Sequence, residues 1–107
     1  MFTYLFNSSG EWIAFRVGRY VFDNNSEWIG WTPWNDNYVV DTKGSYFGNI
    51  IGDRFYSFLI PGYRGYPGYP GYPGYPGYPG YPGYAGYSPL PSGAMDINEH
   101  RISEAKA

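Results

Sequence analysis

A chain of 107 residues without a single cysteine has room for one domain and no disulfide or thiolate metal site to brace it. Its net charge of −2 is spread over scattered groups of both signs, which excludes the basic stripe of a nucleic-acid surface. No apolar run approaches the roughly 18 residues of a bilayer-spanning helix, and Met1 to Phe6 lack the basic and long apolar regions of a signal peptide.

In chain order, three stretches repeat. They begin at Tyr4, Tyr20 and Tyr38, and each runs from a short aromatic or β-branched strand into an Asn or Asp. Phe6-Asn7-Ser8-Ser9-Gly10-Glu11-Trp12-Ile13-Ala14 aligns with Phe22-Asp23-Asn24-Asn25-Ser26-Glu27-Trp28-Ile29-Gly30. Val40-Asp41-Thr42-Lys43-Gly44-Ser45-Tyr46-Phe47-Gly48 follows the same order. Asn or Asp at the first turn position and Gly or Ser at the fourth suit a type I turn followed by a left-handed residue. Gly18-Arg19 and Gly52-Asp53 suit two-residue turns between hairpins. The junction Thr32-Pro33-Trp34-Asn35-Asp36-Asn37 is longer, and Arg54 to Phe58 offers one more strand. The expected fold is all-β: a meander of about seven short strands, built from three and a half hairpin repeats that close into a shallow barrel or flower over residues 1–61.

A period of two along the second strands groups Trp12 with Ala14, Trp28 with Gly30 and Tyr46 with Gly48 on one face. Ile13 and Phe15, Ile29 and Trp31, and Phe47 and Asn49 fall on the other. Both faces are largely apolar, so the sheet must close on itself or take a cover on its second side. Closure would gather Trp12, Trp28 and Tyr46 into a ring, either as core or as an aromatic-lined ligand pocket. Trp31 and Trp34, at the long junction, are the candidate exposed contacts.

The tandem motif of Asn or Asp, two residues, Gly or Ser, one residue, Trp or Tyr, Ile or Phe, Ala or Gly resembles that of the bacterial β-flower proteins. These are shallow pseudo-symmetric barrels of up to four hairpins. The resemblance covers about residues 3–59 and implies the same barrel here, with the fourth unit incomplete. It also implies a distant analogy to Tubby-type barrels and, through them, to binding of lipid headgroups.

From Gly62 every third residue is Gly through Gly86, giving nine Gly, nine Tyr and Pro at six of the nine third positions. Strict Gly-X-Y periodicity is the collagen signature, but Tyr fills every X position. The expectation over residues 62–93 is therefore an extended, polyproline-II-like low-complexity tail, whose 27 repeat residues can reach about 84 Å at about 3.1 Å per residue. It serves as a spacer, a self-association segment or a collagen-like strand. Residues 94–107 can form a short helix, with Asp96 as N-cap and Glu99 three residues on.

Catalytic constellations are missing. The one histidine, His100, has no thiol partner, and the carboxylates sit in or beside turns, where Asp23 and Asp41 serve turn chemistry. The sequence therefore predicts no enzyme, no metal site and no cofactor. It predicts a binding or assembly module that self-associates as a homo-oligomer, with a hydrophobic or lipid ligand as a further option. A structural fibre with trimeric tails and a membrane-surface lipid-binding module are the alternatives. The expected location is cytoplasmic, non-classical export leaving no mark in such a sequence.

Overall fold

Each Asn or Asp that opens a repeat turn makes the same hydrogen bonds in the computed structural model, which describes residues 2–106. Met1 and Ala107, the outer limits of the expected first and last segments, lie outside the described residues. The Asp23 amide donates to the Glu27 carbonyl at 2.9 Å, and the Ser26 amide returns to the Asp23 carbonyl at 3.1 Å. Asn7 with Glu11 and Gly10, and Asp41 with Ser45 and Gly44, repeat both bonds. The fourth turn residue is left-handed in all three, with φ of 88° at Gly10, 63° at Ser26 and 91° at Gly44. The side chains complete the turns: Asp23 Oδ1 accepts the amides of Asn25 and Glu27, and Asp41 Oδ1 those of Lys43 and Ser45.

These turns join β1 (Phe2–Phe6) to β2 (Trp12–Val17), β3 (Tyr20–Asp23) to β4 (Trp28–Trp31), and β5 (Tyr38–Asp41) to β6 (Tyr46–Ile51). We call them hairpins 1, 2 and 3. With β7 (Arg54–Phe58) they form an antiparallel meander in chain order, and β1 closes on β7 through one parallel pair, Phe6 with Arg54. The expected seven-stranded closed barrel is the one that forms. An eighth strand, β8 (Ala94–Asp96), adds to the outer side of β7 from beyond the Gly-Tyr-Pro repeat.

The facing of the second strands differs from a simple period of two. Phe6 pairs with Trp12 but Leu5 with Ala14, so Ile13 is an extra residue. The same shift recurs where Phe22 pairs with Trp28 and Val21 with Gly30, and where Val40 pairs with Tyr46 and Val39 with Gly48. A bulge of two residues against one reverses the facing of everything before it. Trp12 and Trp28 therefore join Phe6, Phe22 and Val40 in one cluster, while Ala14, Ile29 and Phe47 join Leu5, Val21 and Val39 in another. Each Trp fixes its bulge by donating its indole N–H to the carbonyl two residues on, Trp12 to Ala14 at 2.7 Å and Trp28 to Gly30 at 2.8 Å.

The second cluster is the barrel interior, because the helix α1 (Glu99–Ala105) contributes Ile102 and Ala105 to it and is gripped from several strands. Thr42 Oγ1 donates to the Ala105 carbonyl, Arg101 donates to Ser57 Oγ and to the Phe47 carbonyl, and Lys106 reaches Asp23 and Glu27. Only a helix seated in the mouth of the barrel meets all of these. Its N-cap is Asn98, whose side chain accepts from the Arg101 amide, and not Asp96. Asp96 is held in β8, where its carboxylate accepts the Ser8 amide at 2.8 Å and the Ser8 hydroxyl at 2.5 Å.

Close packing makes two inner glycines irreplaceable. A Cβ on Gly30 would lie 2.4 Å from the Val40 carbonyl oxygen, and one on Gly48 would lie 2.5 Å from that of Tyr56. Gly48→Ala is expected to cost about 3 kcal/mol in urea unfolding, the upper end of overpacking penalties. Gly74→Ala, in the tail, has open space around the new methyl and costs only the strain of its φ of 85°, about 1 kcal/mol. Equal costs at the two sites would contradict this packing.

Candidate functional site

The Gly-Tyr-Pro repeat lies against the barrel as a belt. Every glycine from Gly62 to Gly86 has a positive φ, between 78° and 93°. Polyproline-II geometry, expected from the sequence, is thus broken at each third residue, and the chain bends where only glycine does so without strain. The radius of gyration is 12.8 Å and the longest dimension 35 Å. About 13 Å is the value for a compact chain of this length, so the repeat adds no reach.

The belt passes one hairpin turn after another. Pro67 lies beside the Gly44 turn of hairpin 3, where an added Cβ would meet it at 3.4 Å, and the Gly77 carbonyl accepts from Ser26 Oγ at 2.9 Å at hairpin 2. The Gly86 backbone lies against Gly10 of hairpin 1, where a Cβ would come within 2.5 Å of it. Between these points tyrosines clasp the outer Trp side chains in pairs. Tyr69 and Tyr72 flank Trp28, each at 5.9 Å between ring centroids, and Tyr78 and Tyr81 flank Trp12 at 5.9 and 6.0 Å. Tyr4 and Tyr38 hold the belt by donating their hydroxyls to the carbonyls of Pro79 and Gly62.

The ends of the belt depart from Gly-Tyr-Pro where the chain needs a group that proline lacks. Ala85 donates its amide to the Gly10 carbonyl at 2.9 Å, and Ser88 donates to the Ser8 carbonyl at 2.8 Å. Proline has no amide hydrogen to give at either position. Arg64, at the other end, stacks its guanidinium 4.6 Å from the Tyr38 ring centroid and pairs with the Asp36 carboxylate. Arg54 then locks the seam between β1 and β7. Its guanidinium donates to the carbonyls of Asn7, Gly86 and Ala85 and lies over Phe6.

Trp12, Trp28 and Tyr46 do occupy equivalent positions, but they line no central pocket. They face outward, each against the Tyr of its own first strand: Tyr4 with Trp12, Tyr20 with Trp28 and Tyr38 with Tyr46. Under the belt Trp28 is only 3% exposed and Trp12 8%. Trp31, expected as an exposed contact, is buried, with Arg19 over its ring. Trp34 is half-buried, edge-on to Tyr38 and near Arg64. The outward surface belongs to residues the sequence reading left undifferentiated, the nine belt tyrosines, which are between 56% and 91% exposed. Prolines and glycines face the barrel more than they do. The signal for Arg64, Ala85 and Ser88 was the break in the proline series.

Two clefts adjoin the belt and the helix. One, of about 640 Å³, lies between hairpin 3 and the start of the belt, among Trp34, Tyr38, Val40, Tyr46, Ile60 and Arg64. The other, of about 770 Å³, is polar and runs between hairpins 1 and 2 and the helix, among Asn7, Glu11, Asp23, Asn24, Asp96 and Lys106. Among the described residues no three His, Cys, Asp or Glu side chains are grouped to hold a metal ion. No described helix is long and apolar enough to cross a membrane. Hydrogen bonding to Glu27 and Asp23 raises the pKa of Lys106, burial raises that of Tyr46, and the hydrogen bond from Arg64 lowers that of Asp36. No protein-family model, curated protein or solved structure matches the chain.

Two outcomes check this arrangement. Ala85→Pro removes the amide bonded to Gly10 and should free the C-terminal end of the belt, seen as faster proteolysis within residues 80–92; an unchanged cleavage rate would refute the anchor. Because the carboxyl of Asp36 titrates lower when folded, its contribution is present above the ordinary value of 3.8 and is lost as pH falls through the lowered one. The Trp34 indole resonance should therefore hold steady above pH 3.8 and move below it, and Arg64→Gln should abolish that movement.

Proposed function

We propose that this chain is a non-enzymatic binding and assembly module, a small barrel that carries a fixed belt of tyrosines as its contact surface. The observation that carries the reading is the division of labour within each triplet. Glycine bends the belt, proline or its replacement sits closer to the barrel, and tyrosine keeps more than half of its surface exposed even where it flanks a tryptophan. Nine exposed phenol rings on a rigid support offer stacking, hydrogen-bond donation and attraction of cations with little ordering cost. Such sites act together, so weak single contacts add to strong association. Self-association into a homo-oligomer follows naturally from a surface whose best partner is another aromatic.

The belt glycines favour this over a collagen-like fibre. A Cβ on any glycine from Gly62 to Gly86 would meet open space, so glycine is needed here for its positive φ and not for a crowded trimer axis.

Among the described residues Tyr66, Tyr75 and Tyr84 pair with no barrel ring, and they are the fitting targets for a test. Sedimentation velocity of the wild type should reveal concentration-dependent oligomers. Replacing all three with Ser should weaken the association at least about tenfold while leaving the melting temperature within a few degrees. A wild type that stays monomeric, sedimenting like the triple variant at every concentration, would sink the self-association reading.

A further inference from the structure

The two clasped hairpins set a repeat length. Trp28 is held by Tyr69 and Tyr72, and Trp12 by Tyr78 and Tyr81, so each step from one hairpin to the next takes nine residues of belt. Nine residues back from Tyr69 and Tyr72 are Ile60 and Tyr63, which should clasp Tyr46 on hairpin 3. Both do border the cleft beside Tyr46. Neither closes over it: Ile60 is 92% exposed and Tyr63 91%. Hairpin 3 thus keeps the same outer aromatic pair as the others, Tyr38 and Tyr46 with centroids 5.0 Å apart, but lacks the clasp.

We propose that this groove receives a Gly-Tyr-Pro segment from the belt of a second copy of the chain. The argument is continuity with the contact already made twice within the chain, where outer aromatics at the same hairpin positions take up this very segment chemistry. Aromatic-lined grooves suit such segments because proline restricts their freedom before binding. Arg64 stands over Tyr38 and Trp34 at the groove edge, with its guanidinium available to an incoming tyrosine ring. Donor segments are present on every copy, since Tyr75 and Tyr84 of the belt are largely exposed and stack on no barrel ring among the described residues. Groove and donor are different surfaces of one molecule, so the contact is head-to-tail and builds rings or open chains. The inference rests on the assembly reading above and names the site through which it operates.

The experiment titrates the nine-residue peptide (Gly-Tyr-Pro)3 into the isotope-labelled full chain. The Trp34 indole and the Gly44 and Ser45 amides should shift, while the Trp12 and Trp28 indoles, already bonded and clasped, should not. Ser45 is exposed at the groove rim and its hydroxyl makes no hydrogen bond among the described residues, so Ser45→Arg obstructs the groove without touching the core. It should weaken both peptide binding and self-association at least about tenfold at an unchanged melting temperature. Ile60→Arg, at another residue of the groove lining, should do the same.

Three results would overturn the proposal. The first is no peptide-induced shift at hairpin 3. The second is self-association that survives both groove variants but is lost when Tyr66, Tyr75 and Tyr84 are replaced; the belt reading would then stand and the groove would not. The third is peptide binding at the groove in a chain that stays monomeric, which would assign the groove to a proline- and tyrosine-containing segment of another protein.

Discussion

A sheet with two apolar faces cannot stand in water, and the rest of this molecule answers that constraint. Closing the sheet hides one face, and the helix fills the mouth that closure leaves open. The other face still presents Trp12, Phe15, Phe22, Trp28 and Trp31, more aromatic surface than a soluble monomer leaves uncovered. The belt covers Trp12 and Trp28, and Arg19 lies over Trp31. A low-complexity segment suits this work because the surface to be covered is itself repetitive, with one outer aromatic pair per hairpin.

The cover depends on a few specific joints. The seam between β1 and β7 is a single parallel pair, too little backbone bonding to hold a barrel shut by itself. Arg54 adds what the seam lacks, tying the first turn, the last barrel strand and the end of the belt through three carbonyl groups. Gly10 belongs to the same joint, since only a residue without Cβ lets the belt backbone come so near. Ser26 stands where the other repeats have glycine. It accepts a left-handed backbone and gains a hydroxyl that holds the belt at its middle.

Much of this was legible in the sequence. The Asn and Asp turns, the left-handed fourth position, the two-residue turns and the closed meander all follow from local chemistry that acts over a few residues. The facing of the tryptophans did not follow, because a bulge inserts one residue and reverses a strict alternation. A bulge is a matter of pairing between strands and leaves no mark in the spacing of one strand alone. The N-cap was misread for a related reason: Asp96 has the right chemistry for a cap, but a tertiary bond to Ser8 claims it. That the second face needs a cover was legible in its apolar residues, but where the belt docks was not, since a Gly-Tyr-Pro repeat looks the same free or docked. Only Arg64, Ala85 and Ser88, the three interruptions of the proline series, carried the information that the repeat is fastened at its ends.

The direction of the belt has a topological consequence. The strands circle the barrel from hairpin 1 to hairpin 3, and the belt returns from hairpin 3 to hairpin 1. The two circuits run in opposite senses, and the end of the belt comes back to the seam where the strand circuit closes, at Arg54. In chain order the belt therefore meets the most recently formed hairpin first and the oldest last. The chain thus visits the same three hairpins twice, once forward as strands and once backward as the belt that lies on them.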